Sequence, residues 1–547
     1  MTGADLLALT LRERNVEFVA TLSGNGLNPL YVACRDANIR LIDTRNEQAA
    51  AYMADAYARL TRRVGVCAVS SGIAHVNALT GIANAWFDGA PVLLITGESP
   101  STQDDMGKFQ EFDHVALAKP LCKYARSVRE PAKIAFYVRE ALAYATSGRP
   151  GPVALSIPVD VLSAEIPEGK AIRVQAGPGE VRQDAAADPD LVAEAARLIA
   201  AAKRPVLVAG TGVFYAEGQD ELHEFASATA IPVVVPIWER GCVEKKADHF
   251  LGVVGAASGE PRILPDADLL LLVGCRADYR IGFALPPKVS EKAIILRIDV
   301  DATELRSGVE PDLKLPGDPC TVLGQLTRAM ARIGAKPHAA WLAKVRRRDA
   351  AFRKRWLKDP APPAPPMTGR HIVDAIRPFL TDDLIFLIDG GNIGQWAHMA
   401  LADRYPSSWL TCGSSAVVGW GLPGGIGARL AYPHRPILLL SGDGAIGFTI
   451  AELETSVKHG APFVIVLADD LAWGIVVSGQ REAYGPEGVL ASRMAEVRYD
   501  KVAEAFGAIG VRVERPEELG PAIRKGLAAD RTTLIHVPIS ILGPADP

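Results

Sequence analysis

A chain of 547 residues, 49% hydrophobic, is long enough for about three domains of ~100–200 residues with full cores. Lys+Arg 59 against Asp+Glu 63 gives a formal net charge of −4, which argues against a nucleic-acid or anionic-membrane partner, since both call for a basic surface. Seven scattered cysteines without a C-x-x-C, apolar runs of only strand length, and no basic stretch ahead of an apolar one at the start point to a cytoplasmic α/β protein without a signal peptide or membrane span.

From about Ala4 to Leu162, strand-like runs at Phe18–Ala20, Ile39–Asp43, Val64–Val69 and Val92–Ile95 alternate with helical patterns such as Glu47–Leu60. That rhythm implies a parallel sheet. The polar, glycine- and proline-bearing stretch Pro167–Asp188 reads as a linker. A second unit repeats the rhythm with Pro205–Ala209, Pro232–Pro236, Leu269–Val273 and Ile294–Ile298. A second linker holds the basic, helix-like run Trp341–Trp356 and the proline cluster in Asp359–Pro366, which cannot continue a helix. The third unit, from Thr368 to about Pro538, has the most apolar strands. No short internal repeat is found, so the expected fold is α/β, with three doubly wound domains and mainly parallel sheets.

In the third unit, the strand-like Ile437–Ser441 runs into Gly442-Asp443-Gly444 and then a helical pattern, Ile450–Val457. By spacing alone, Gly442-x-Gly444-x-x-Gly447 matches a dinucleotide fingerprint. An Asp between the first two glycines would oppose a bare pyrophosphate unless a cation lay between them, and Mg²⁺ binds through one or two carboxylates plus phosphates. The next strand, Phe463–Leu467, ends in Asp469-Asp470, and parallel strands open onto one edge. Asp443 and Asp470 are therefore expected to converge on one ion, with a backbone carbonyl completing the protein ligands.

These two turns resemble the cofactor motif of thiamin-diphosphate (ThDP) enzymes, which usually carry Asn-Asn or Asn-Asp where this chain has Asp469-Asp470. Alignment through Trp473-Gly474 implies Asp443 and Asp470 as Mg²⁺ ligands with the Ala472 carbonyl. An Asp is a competent oxygen ligand there and adds negative charge. The resemblance also implies a carboxylic acid against the cofactor's aminopyrimidine, supplied by the first domain. Glu47, in Ile42-Asp-Thr-Arg-Asn-Glu47-Gln-Ala-Ala-Ala-Tyr52, fits as a catalytic acid/base, although a first-turn Glu also suits any helix dipole.

The runs Arg45–Ala50, Ser70–Asn77, Ala83–Gly97 and Phe109–Phe112 look like the acetolactate synthase, benzaldehyde lyase and 2-hydroxyacyl-CoA lyase branch. They imply Ser70 and Asn77 at the cofactor and Gln110 as a catalytic amide. Asp389–Trp396 resembles the diphosphate loop, implying Gly391, Asn392 and Ile393, and the glycine turn adds Gly442, Gly444 and Ala445. Val418–Pro423 resembles the segment that bends the cofactor. Val418 is the wedge, smaller than the usual Met, Leu or Ile, and Ala416 stands where Gly is common. Trp473 and Gly474 close the set.

The family fold implies a pyrimidine-binding domain (1–166), a middle domain (188–335) and a diphosphate-binding domain (367–540). Its site lies between subunits, hence a homodimer or homotetramer acting on a small molecule. The expected activity is a ThDP- and Mg²⁺-dependent C–C lyase or carboligase, acetolactate-synthase-like, on 2-oxoacids. Gly26 replaces the histidine of benzaldehyde lyase, and Gly479 the bulky Trp of acetolactate synthase, leaving a roomier pocket. Gly274–Pro287 and Phe109–Phe112 look closer to acyl-CoA lyases and oxalyl-CoA decarboxylase, the alternative reading, although Ile541–Pro547 is a short tail to close over CoA. A non-catalytic ThDP-binding paralogue is a further alternative, but it would not need Glu47. Around Gly210-Thr-Gly212, FAD, the ADP part of CoA or nothing all stay open. His75 and His114, the histidines nearest the motifs, read as structural.

Overall fold

The computed structural model describes residues 1–169, 184–239, 241–255, 263–357 and 364–541. Residues 170–183 of the first linker, 358–363 of the proline-rich linker and 542–547 of the tail lie outside them. Three six-stranded sheets follow one another along the chain. Every pairing in them is parallel, as the long apolar runs require: strands such as Leu269–Val273 and Val464–Asp469 are buried at every position, with helices on both faces.

The first sheet runs Arg40–Asp43, Phe18–Thr21, Gly65–Val69, Val92–Glu98, Val153–Pro158, Tyr124–Ser127. The third runs Trp409–Thr411, Ile385–Asp389, Ile437–Gly442, Val464–Asp469, Thr533–Pro538, Ile509–Arg512, the same order relative to the chain. The middle sheet differs: Leu313–Pro316, Ile294–Asp299, Leu269–Val273, Pro205–Ala209, Val233–Pro236, Phe250–Val254.

The outer domains are welded through two helices. Glu47–Thr61 is alanine-rich and buried over most of its length, and it packs on Gly421–Ala431. A Cβ at Gly427 would lie 2.6 Å from the Met53 carbonyl, so the backbones meet only because that residue is glycine. A buried polar cluster spans the same seam. Asp55 Oδ2 accepts Trp420 Nε1–H at 2.8 Å and Arg59 at 3.3 Å, Arg59 pairs with Asp88 at 3.2 Å, and Asp88 accepts the Ser414 N–H at 2.8 Å. Arg59 is shared by two carboxylates, and the Trp420 and Ser414 N–H groups add hydrogen bonds that help make their burial tolerable.

The helix after Gly442 starts at Asp443, not at Ile450, and breaks into Asp443–Thr449 and Glu452–Lys458. Apolar periodicity marks only the second of these; the first is set by the extended Gly442 at the strand end. The run 341–356 lies within one helix, Ala339–Leu357. No helix among the described residues is long and apolar enough to cross a membrane.

Candidate active site

The strands Ile437–Gly442 and Val464–Asp469 pair with Gly442 opposite Ala468, so both acidic turns leave the sheet at one edge. Asp443 and Asp470 are buried there, 3% and 8% exposed. Asp443 accepts the Gly444 N–H at 2.9 Å on Oδ1 and the Ala472 N–H at 3.2 Å on Oδ2. Asp470 Oδ2 accepts the Asn392 side-chain amide at 2.8 Å, and that amide also donates to the Ile541 carbonyl at 3.0 Å. Burial first, then Asp470 and Asp469, push Asp443 up to about 8. Burial pushes Asp470 up to about 6 against the Asn392 bond.

Leu471 bends the intervening turn with φ +54, a left-handed conformation that costs a branched side chain roughly 1–2 kcal/mol. A short bridge then pairs Ala472 with Arg493: Trp473 N–H donates to the Ser492 carbonyl at 2.9 Å and Met494 N–H to Leu471 at 2.8 Å. Those bonds use the flanking residues, so the polar edge of Ala472 itself faces Asp443. No three His, Cys, Asp or Glu side chains among the described residues are grouped to hold a metal. Two buried carboxylates nonetheless make a hard donor pair, and their mutual repulsion favours a divalent cation between them. The residues present fit Mg²⁺.

The anion side fits as well. Gly390 has φ +142, and a Cβ on it would lie 2.8 Å from the Gly442 nitrogen, so the two strand-end turns touch backbone to backbone. Gly391, Asn392 and Ile393 open the helix Gly391–Ala400, whose first N–H groups have no intrahelical partner. Asp389 beneath them is fully buried, pushed up to about 7 by burial, and accepts the Gly421 N–H at 2.6 Å. It thereby ties the turn at Gly390 to the segment carrying Val418, which is half-buried. Ala416 sits at φ +55, which explains why glycine would be at home there. Gly444 and Ala445 lie in the first turn after Gly442, and Trp473 packs edge-on against Phe448, with centroids 6.0 Å apart, just before Gly474.

Glu47 is the first residue of its helix, after the cap Asn46, and accepts Asn77 Nδ2 at 3.1 Å. Ser70 donates to the Asn25 carbonyl at 2.9 Å. Gln110, at φ +54, accepts the Ser71 hydroxyl at 3.2 Å. Among the described residues, neither Glu47 nor Gln110 bonds to the Asp443 group of the same chain.

Sequence reading left His75 and His114 as structural, without their partners, and missed His536. His114 is buried and accepts the Gly72 N–H at 2.8 Å on Nε2, while its Nδ1 meets Ser156 at 3.1 Å. Ser156 passes on to Glu98 at 2.5 Å, and His75 lies against His114 with ring centroids 4.8 Å apart. Only that this pair flanks motif runs could have flagged it. His536, buried beside Asp469, carries no local signal at all, because its partners come from distant segments.

Three parallel α/β domains with an acidic glycine turn on the last and a strand-end Glu on the first define a ThDP-binding architecture. Models of the thiamine pyrophosphate enzyme family match in the same order: the N-terminal TPP binding domain over residues 1–117, the central domain over 192–326 and the C-terminal TPP binding domain over 389–537. The chain belongs to the thiamine pyrophosphate enzymes. It is 29% identical to the probable acetolactate synthase large subunit of Methanocaldococcus jannaschii, over 100% of this chain and 93% of that one. Identity is 31% to the probable acetolactate synthase of Mycobacterium bovis (98% and 95% covered) and 29% to human 2-hydroxyacyl-CoA lyase 2 (94% and 86%). It is thus a ThDP-dependent carboligase or decarboxylase of the acetolactate synthase and 2-hydroxyacyl-CoA lyase type.

Proposed function

We propose that this chain is a cytoplasmic, ThDP- and Mg²⁺-dependent enzyme that makes or breaks the bond beside the carbonyl of 2-oxoacids, in the manner of acetolactate synthase. The observation that carries the metal assignment is the buried Asp443–Asp470 pair facing the touching turns at Gly390 and Gly442. When bound, ThDP supplies the electron sink for the carbon–carbon step. Asp443, Asp470 and the Ala472 carbonyl hold the metal. The N–H groups of Gly391, Asn392, Ile393, Gly444 and Ala445 hold the diphosphate beside Gly442. Val418 would support the cofactor, backed by Ala416, Trp473 and Gly474. Glu47, oriented by Asn77, holds and moves a proton at the aminopyrimidine, with Ser70 on the same side, and Gln110 aims its amide at the reacting carbon.

Both ends carry exposed apolar residues: Phe448 and Ile475 near the diphosphate turn, Phe109, Ile73 and Phe112 near Glu47. A second copy of the chain would cover them and bring its own Glu47 to this Asp443, in a homodimer or homotetramer. In the middle domain, Thr211 N–H donates to Glu239 Oε2 at 2.7 Å, and Glu239 pairs with Arg280 at 2.7 Å. One N–H at the start of the Gly210-Thr-Gly212 turn is thus taken by the chain's own carboxylate.

Similarity to acetolactate synthases favours 2-oxoacids. Open space around Gly479, with nothing within 4 Å of its would-be Cβ, favours the second reading, a longer acyl-CoA substrate. NMR of products from pyruvate with ThDP and Mg²⁺ separates the two. Acetolactate or acetoin is the expected result. An unchanged pyruvate signal, in protein that binds ThDP, rejects the 2-oxoacid reading for acyl-CoA or other 2-hydroxy substrates.

A further inference from the structure

Ala416 is exposed and sits at φ +55, a backbone conformation disfavoured for any residue with a Cβ. Strain of that kind persists only where the surroundings over-determine it, and it gathers at ligand clamps. Around Ala416 most of the surroundings come from the first domain. Ser414, two residues before, donates its N–H and its hydroxyl to Asp88 Oδ1 at 2.8 and 2.9 Å. Its carbonyl accepts the Tyr279 hydroxyl of the middle domain at 2.8 Å.

Asn84, 1% exposed on the helix Ile73–Asp88, makes the next attachment. Its Oδ1 accepts the Ser415 hydroxyl, and its Nδ2 donates to Asp55 Oδ2 at 3.2 Å. Ser415 Oγ in turn accepts the Val417 N–H at 3.3 Å. Beyond Val418, Trp420 Nε1 donates to the same Asp55 oxygen at 2.8 Å. Both attachments therefore converge on one atom, and Val418 lies between them. A primary amide offers an acceptor and a donor at once, which is what the joint between the Ser415 hydroxyl and a carboxylate requires.

We infer that Asn84 is a positioning residue that holds the strained turn at Ala416 and so presents Val418 to ThDP. The inference rests on the place given to Val418 in the proposed function. Two readouts on the full-length protein test it without turnover: amide hydrogen exchange over residues 413–420 in ThDP-free protein, and ThDP affinity by calorimetry at saturating Mg²⁺. Asn84→Ala should speed that exchange about tenfold and raise the Kd for ThDP about tenfold. Adding Ala416→Gly, which takes φ +55 without a Cβ penalty, should bring Kd back to within about threefold of wild type. A general loosening of the seam would be deepened by a glycine, not repaired. Ser415→Ala cuts the same link at a half-buried hydroxyl and should raise Kd about threefold. Wild-type exchange in Asn84→Ala, no rescue by Ala416→Gly, or an unchanged Kd in Ser415→Ala overturns the inference. Faster exchange in Asn84→Ala with wild-type ThDP affinity overturns the place given to Val418 instead.

Discussion

The two ends of the site stand on sheets with the same strand order, yet they are finished to different degrees. At the diphosphate end, Asp443, Asp470 and Asn392 are buried and bonded to one another or to backbone within a single chain. At the other end, Glu47 is half-buried and bonded to Asn77 alone of the described residues. One end is preorganised by its own fold; the other presents a carboxylate with a single side-chain partner. The difference matches the two tasks. Metal and diphosphate need several donors fixed in advance, whereas an acid needs one carboxyl placed correctly when the cofactor arrives.

Substitutions at the two ends should therefore fail in different ways. The largest effect is expected from Glu47→Gln: turnover falls about 10²–10⁴-fold while ThDP affinity stays near wild type. Steady-state rates and a binding titration on the same sample check this, and unchanged turnover would remove Glu47 from its role. Asp443→Ala should do the reverse of a purely kinetic lesion, weakening Mg²⁺-dependent ThDP binding about 100-fold or more by calorimetry. Normal affinity there would dissolve the distinction between the ends. The smallest effect should come from Gly390→Ala, which sets a Cβ against the Gly442 backbone and costs about 1–3 kcal/mol, read as a lower Tm and about tenfold weaker ThDP binding. If its affinity holds, the preorganisation of the diphosphate end does not depend on that contact.

Much of this was legible because it is written locally. Gly442-Asp443-Gly444 and Asp469-Asp470 each follow an apolar run of strand length, and parallel strands deliver such ends to one edge. The three-layered rhythm was equally plain from the buried strands. Two edge strands were not: Tyr124–Ser127 and Ile509–Arg512 are only partly buried, so they lack the continuous apolar run that marks the central ones. The first turn of Asp443–Thr449 was missed because glycine-rich sequence hides a helix whose start is dictated by the strand before it. His536 was beyond reach, since its partners Asp469 and Asp500 arrive from other elements. Ala416 shows the intermediate case: its oddity was visible, but only φ +55 explains it.

The first and third sheets share one strand order, so they present the same row of strand ends at their edges. Parallel sheets receive their ligands at those edges. What separates the two domains is therefore the handful of residues that follow the strands: acidic turns after Gly442 and Asp469 in one, Glu47 after Asp43 in the other.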